Sequence, residues 1–292
     1  MPGEVLEVLQ PERGGLFVDC TVGLGGHARL LLERGASRLI GLDRDPAALA
    51  AAQDSLAQWA DRIELVHADY RDLAQVLADR QVSQVAGMLA DLGVSSMQLD
   101  AESRGFSFRR DEPLDMRMDT THGDTAADLI AQVDEKELAD VIYEFGEERN
   151  SRRIARALVN ARAGQPLVTT GQVADIVRRA SRVTRGRGGS WQRIDPATRT
   201  FQALRIWVNR ELEGLAEFLE AATQRLALGA RLAVITFHSL EDRIVKHTFR
   251  SLQQREPALA RVLTKRPLVP ADEEVTRNPR ARSAKLRAVE RV

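Results

Sequence analysis

The strongest constraint on the fold is a rhythm in the first hundred residues, where short apolar runs alternate with longer helical segments. Residues 16–20 read as a buried strand, and 38–43, 63–67 and 85–91 as three further strands. A helical run from His27 to Arg34 separates the first two. Asp45 and Pro46 then open an Ala-rich helix, with Pro at the first turn, where its missing N–H costs nothing. Strands separated by helices pair in parallel and carry helices on both faces. The expected fold class is therefore α/β, a doubly wound Rossmann-like sheet.

The rhythm stops near Arg104. Residues 126–133, 135–145, 151–162 and 171–182 read as helices, with Asp134, Asn150 and Thr170 placed as N-caps. A Gly/Arg loop follows at 184–190. Phe201, Leu204, Val208, Leu212, Leu215, Leu219, Ala222 and Leu226 then recur at helical spacing. They predict one long helix ended by Gly229, with core packing as the job of the stripe. A fifth strand is expected at 230–237, and further strands at 267–270 and 285–291. The simplest organisation is an α/β domain made of 1–103 and 212–292, with an all-helical domain, 104–211, inserted between.

The formal net charge is zero, 42 basic against 42 acidic groups, but the total hides segregation. Residues 149–210 hold 14 arginines and 2 aspartates, after an acidic stretch. Such a block suits a polyanion. The blander account is a solvated helix face, or pairing with the preceding acids. Cys20 is the one cysteine, so an internal disulfide and a Cys-rich zinc site are excluded, and a reducing cytoplasm fits. Met1-Pro2-Gly3-Glu4 lacks the basic and apolar regions of an export signal. No apolar run approaches the ~18 residues of a membrane span. His122 and His247 have no companions at ligand spacing, so no metal is expected. Monomer and homodimer both remain open.

Asp19-Cys20-Thr21-Val22-Gly23-Leu24-Gly25-Gly26-His27 joins the first strand to the first helix. Glycines there allow a tight turn and close approach of a ligand to bare N–H groups. Asp43 stands 20 residues after Gly23, the spacing at which a carboxylate meets ribose hydroxyls. Gly23-x-Gly25-x-x-Ala28 also satisfies the dinucleotide pattern, so an NAD-dependent oxidoreductase is one reading. Acids at four successive strand ends, Asp19, Asp43, Asp69 and Asp91, favour a cationic ligand over a pyrophosphate. S-adenosylmethionine, with its sulfonium and ammonium groups, fits better. The bland alternative has Asp43 and Asp69 merely capping helices.

Seven blocks sharpen the choice. Asp19-x-Thr21-x-Gly23-x-Gly25-Gly26-His27, Asp91-Leu92-Gly93-Val94-Ser95-Ser96, Arg104-Gly105-Phe106-Ser107-Phe108, Pro113-Leu114-Asp115-Met116-Arg117-Met118, the run from Ala197 to Asn209, Phe237-His238-Ser239-Leu240-Glu241-Asp242-Arg243 and Asn278-Pro279-Arg280-Ala281-Arg282-Ser283 closely resemble the bacterial 16S ribosomal RNA cytosine-N4 methyltransferases. The resemblance spans nearly the whole chain. It implies a class I methyltransferase fold with a helical insertion, S-adenosylmethionine as methyl donor, and a cytidine of the ribosomal decoding region as acceptor. It places cofactor contacts on Gly25, Gly26, His27, Asp43, Tyr70, Asp91 and Gln98, and substrate contacts on Arg199, Phe201, Asn209, Arg243, Arg280 and Arg282. A non-catalytic RNA-binding assembly factor is the competing function.

Exocyclic-amine methyltransferases acting on DNA often orient the amine with a Pro-Pro-aromatic motif after strand four, which Asp91-Leu92-Gly93-Val94 lacks. Asp115 is therefore the candidate acceptor for the amine hydrogen bond, with His238 and Ser239 after strand five. The alternatives are an Asp115–Arg117 pair and a structural hydrogen bond at His238. Trp191 or Phe106 could stack on an unpaired base.

Overall fold

The computed structural model describes residues 1–181 and 195–292. The expected 184–190 loop, the end of the 171–182 helix and Trp191 lie outside the described residues.

The α/β part contains β1 (Leu16–Asp19), β2 (Arg38–Asp43), β3 (Ile63–His67), β4 (Val85–Asp91), β5 (Leu226–Thr236), β6 (Ala260–Val262) and β7 (Lys285–Arg291). They form one sheet in the order β3-β2-β1-β4-β5-β7-β6. The first five strands run parallel, and β7 is antiparallel to both β5 and β6. The order reverses direction between β1 and β4. In such sheets the crevice beyond the carboxyl ends at that reversal is where ligands bind.

Helices α1 (Pro2–Leu9), α2 (Gly26–Glu33), α3 (Pro46–Ser55) and α4 (Leu73–Asp79) accompany the first strands. The strand period of two divides the core. Phe17, Leu39, Leu89, Ala233 and Ile235 face one way, packing with α1, α2 and α3. Their neighbours Val18, Ile40, Met88, Leu232 and Val234 face the other way, toward α4 and two helices from the second half of the chain.

The helical part contains α5 (Ser96–Asp100), α6 (Ala126–Gln132), α7 (Glu135–Gly146), α8 (Ser151–Gly164), α9 (Thr170–Ser181) and α10 (Ala197–Asn209). Its core holds Met116, Ile130, Leu138, Ile142, Ile154, Leu158, Val173 and Leu204. By contacts the chain divides into Met1–Gly93 with Leu212–Val292, and Val94–Glu211. The first junction thus falls before the 103/104 expected from sequence, because Val94 and Leu99 pack against the helical core.

The single long helix expected over 201–226 is corrected. Helix α10 ends at Asn209, Arg210 (φ 50°) and Gly214 (φ 69°) are left-handed, and α11 (Leu215–Gln224) begins afresh. One periodic stripe therefore serves two cores. Phe201 and Leu204 belong to the helical unit, and Leu215, Leu219 and Ala222 to the sheet unit. Leu226 is already in β5, and Gly229 (φ 76°) lies inside that strand, where its register against β4 shifts. Residues 267–270 supply only a bridge, Leu268 to Leu286. Helices α12 (Ser239–Gln254) and α13 (Asp272–Arg277) complete the described helices.

Asn209, given a substrate role by the resemblance, is 2% exposed. Its Oδ1 accepts from Met118 N (2.7 Å), and its Nδ2 donates to the carbonyls of Met116 (2.7 Å) and Arg205 (2.9 Å). The side chain clamps the 113–118 loop onto α10. Phe201 is likewise core, edge-on to Phe108 with ring centroids 4.7 Å apart. Phe106 is buried in the same cluster and cannot offer its face to a base. An Asn209→Leu variant leaves the Met118 N–H and Met116 carbonyl unpaired. It is expected to lose about 2–4 kcal/mol of stability in chemical denaturation. An unchanged midpoint would show that the clamp carries no weight.

Candidate active site

Strand β1 delivers Asp19, 1% exposed, to the carboxyl edge of the sheet. The chain then passes the ends of the two flanking strands, β4 and β2, and is tied to both. Cys20 N donates to Leu89 O (2.8 Å), Val22 N to Leu42 O (2.8 Å), and Gly23 N to the Asp43 carboxylate (2.8 Å). Asp91 N, at the end of β4, donates to the Thr21 hydroxyl (2.7 Å). Thr21 therefore couples β1 to β4 across the switch point, a role the sequence reading missed. Its Asp-x-Thr spacing, in which Thr21 N also donates to Asp19 Oδ1 (3.1 Å), was the available signal.

Gly23 (φ 52°) and Gly25 (φ 83°) turn the loop in the left-handed region. Gly25 serves as the N-cap of α2 with no side-chain capping bond, so no side chain caps the first N–H groups of that helix. At Gly26 an added Cβ would meet nothing within 4 Å. The loop is thus anchored below and open above.

Three side chains converge here. His27 Nε2 lies 3.6 Å from Asp91 Oδ2, and Asp19 is close enough to feel both charges. Each has a buried polar atom with no hydrogen-bond partner among the described residues, namely Asp19 Oδ2, His27 Nδ1 and Asp91 Oδ1. Burial raises the Asp19 carboxyl from 3.8 to about 7, against the opposing pull of His27 and Thr21 N–H, and Asp91 and Asp43 add to the rise. Burial alone would lower His27, but the hydrogen bond and charge of Asp91, helped by Asp19, leave the imidazole above its usual value. Asp43 is raised by burial despite accepting from Asp45 N and Gly23 N. Buried polar atoms are nearly always paired. Three orphans in one acid-rich crevice mark a place for a polar, positively charged ligand.

The other predicted positions sort differently. Asp69 caps the turn at Tyr70 and binds Arg71 through both oxygens (2.8 and 2.7 Å), with Arg44 at 3.5 Å. Burial raises its carboxyl, but Arg71 and Arg44 more than reverse this and hold it below the usual range. The capping account is right for Asp69. Asp43 instead holds the loop. Tyr70 is 8% exposed, its ring 4.7 Å from that of Phe218 in the core.

His238 follows β5 and caps α12. Its Nδ1 accepts from Glu241 N (3.4 Å), and the Glu241 carboxylate accepts from Phe237 N (3.0 Å) and His238 N (3.4 Å). The His-x-x-Glu spacing of a capping box was legible but unused. Ile235 pairs with Asp91, so His238 and Ser239 leave the sheet at the same edge. Arg243 on α12, and Arg280 and Arg282 in the turn over Pro279–Ser283, are exposed.

Within the helical unit, Gln98 is buried and closes a capping box with Ser95. Asp115 is bound by Arg117 through both carboxylate oxygens at 2.8 Å and accepts from Arg117 N at 3.0 Å. Desolvation raises it, but the Arg117 contacts win and hold the carboxyl low. Arg199, 57% exposed at its side chain, lies 3.8 Å from Glu148.

A sheet in this order, parallel over β1–β5 with β7 antiparallel beside β5, and an acid-lined glycine turn at the switch point define a class I methyltransferase. The MraW methylase family model matches residues 1–292, and the chain belongs to that family. It is 52% identical to the ribosomal RNA small subunit methyltransferase H of Sorangium cellulosum, covering 99% of this chain and 89% of that one. The proteins of the same name from Syntrophotalea carbinolica (51% identity, 100% and 96% covered) and Geobacter sulfurreducens (51%, 100% and 97%) are similar to it at the same level. The nicotinamide reading is set aside.

Proposed function

We propose that the chain methylates the N4 amine of one cytidine in the decoding region of 16S ribosomal RNA. The donor is S-adenosylmethionine, the substrate is the RNA within the small ribosomal subunit, and the setting is the cytoplasm. None of the described helices is long and apolar enough to cross a membrane. The observation that carries the reading is the trio of orphaned buried atoms on Asp19, His27 and Asp91 beside the glycine turn.

Those residues fit the cofactor's chemistry. Gly25, Gly26 and His27 would border it, Asp43 and Asp91 would meet its polar groups, and Tyr70 and Gln98 are the further contacts expected from the resemblance. S-adenosylmethionine supplies a methyl group made electrophilic by the positively charged sulfur that bears it.

The protein's own task is to present a poor nucleophile, since the cytosine amine lone pair is delocalised into the ring. Asp115, kept ionised by Arg117, can accept a hydrogen bond from the amine but is a weak base. His238 accepts from Glu241 N at Nδ1, and its buried Nε2 lies 3.2 Å from Glu241 Oε1, so the ring is held from both nitrogens by the start of α12. A ring fixed in this way would position the base rather than remove a proton. Solvent then takes the amine proton after transfer.

Incubation with small subunits and labelled S-adenosylmethionine, followed by nucleoside mass spectrometry, should yield N4-methylcytidine. Its absence overturns the assignment, and RNA binding without methylation would leave an assembly factor. In single-turnover methyl transfer, Asp115→Asn and His238→Ala should each slow the step by about 10²-fold or more. Near-wild-type rates in both remove them from the mechanism.

A further inference from the structure

Sequence alone left the arginines of residues 149–210 divided between RNA contacts and ordinary ion pairs, and the structure separates them. Arg156 pairs with Glu135 (3.1 Å), Arg178 with Asp175 (3.1 Å) and Asp195 (2.9 Å), and Arg205 with Glu211 (2.8 Å). Arg162 donates to the Ile130 carbonyl. Arg149, Arg152 and Arg153 are exposed, and their guanidiniums have no ion-pair or hydrogen-bond partner among the described residues. They stand together on one side of the helical unit. The buried positions of α8 are Ser151, Ile154, Ala155 and Leu158, which turns 152, 153 and 156 outward, and Arg149 precedes the N-cap Asn150.

This placement works against the fold. Arg152 and Arg153 sit in the first turn of α8, where the helix dipole favours acids, and that turn contains none. Arg152 and Arg153 are adjacent like charges there, with Arg149 just before the N-cap. The acidic stretch before α8 does not relieve them. Glu135 is taken by Arg156, and Glu148 accepts from Asn150 and faces Arg199. Unpaired cations kept at a local cost are expected where a partner later neutralises them. Four residues of helix span about 6 Å. Phosphates recur about every 3.4 Å along a nucleic acid strand, so neighbouring guanidiniums can meet nearby phosphates of one backbone.

We propose that Arg149, Arg152 and Arg153 form a docking surface for the phosphodiester backbone of the RNA substrate, distinct from the ion-paired arginines of the same block. The proposal rests on the rRNA reading and narrows it to one surface. Phosphate contacts govern affinity and its salt dependence without reading bases.

The test compares the full chain with an Arg149→Gln/Arg152→Gln/Arg153→Gln variant, using a labelled oligouridylate titrated over a range of potassium chloride concentrations. A control, Arg13→Gln/Arg34→Gln/Arg38→Gln, removes the same charge from exposed positions of the sheet unit. Three lost contacts should flatten the log–log salt slope by about 2. The control should keep the wild-type slope, and both variants should melt as the wild type does. Equal slopes in the wild type and the α8 variant overturn the proposal, as does tighter binding of labelled polyglutamate than of oligouridylate. The KM for small subunits separates the two levels. If the wild type methylates subunits and the α8 variant does so with unchanged KM, the surface is wrong and the function stands. If the wild type methylates nothing while the slopes still differ, the surface stands and the rRNA assignment fails.

Discussion

A Gly25→Ala substitution should abolish measurable cofactor binding and cost about 2–4 kcal/mol of stability. Gly25 sits at φ 83°, which an L side chain adopts only with strain, and its added Cβ would lie 2.7 Å from Leu56 Cδ1 and 2.9 Å from Leu56 Cγ. Leu56 is 1% exposed in the core under α2 and α3, so it has little room to withdraw. The loop must shift instead, and with it the N–H groups of α2. Gly26→Ala separates the two effects. Its Cβ meets nothing within 4 Å in the free chain, so stability should hold while affinity falls, because the methyl occupies the open space beside the turn. Calorimetric titration with S-adenosylmethionine and thermal denaturation of both variants check this. Wild-type affinity in Gly26→Ala would mean that the ligand does not approach the turn.

The second large effect concerns Asp19 and pH. Its carboxyl titrates near 7 in the folded chain against 3.8 unfolded, so across that interval the folded state binds more protons than the unfolded state. Stability must fall as pH rises from about 4 to about 7, by on the order of 4 kcal/mol in total. His27 acts in the same direction. Its raised folded value preserves stability below its ordinary 6.5, and that contribution is lost as pH climbs through the raised value. The free protein should therefore melt at lower temperature at pH 8 than at pH 5.5. Asp19→Asn should remove most of this slope, leaving the His27 part, and should weaken S-adenosylmethionine binding by about 10- to 100-fold. Affinity in the wild type should rise with pH through 7, because a bound cation favours the ionised carboxylate. A pH-independent melting temperature in the wild type would show that Asp19 is not held in the protonated form.

How legible this was from sequence depended on the kind of evidence each element left. Strands β2, β3 and β4 were readable to their ends, because each is a short run rich in β-branched and apolar residues bounded by an acid or a turn, buried in β2 and β4 and half-buried at the sheet edge in β3. The glycine turn and Asp43 could be placed because their spacing reflects a local βαβ unit. The break at 210–214 could not be read, since the apolar stripe continues through it at unbroken period. Arg210 and Gly214 turn the chain only because two different cores claim the two halves. That Asn209 and Phe201 are buried against the 113–118 loop and Phe108 was not legible for a related reason. A recurring motif shows that residues matter together but not whether a ligand or a loop is on the other end. Thr21 and Glu241 escaped notice because their partners, Asp91 N and the backbone at 237–238, are chosen by strand ends meeting in space.

Sequence by itself determined the layered α/β plan, the helical character of residues 126–181, the acids at the strand ends and the charge segregation. All of these depend on short-range periodicity or composition. Tertiary structure alone decided that Asp19 and Asp91 remain available, since they end beside His27 with oxygens unpaired among the described residues, whereas Asp69 and Asp115 are neutralised locally by Arg71 and Arg117, two positions away in each case. It likewise decided which arginines are free. Pairing is set by distances of 3–4 Å between side chains on different elements, and no one-dimensional spacing encodes those distances.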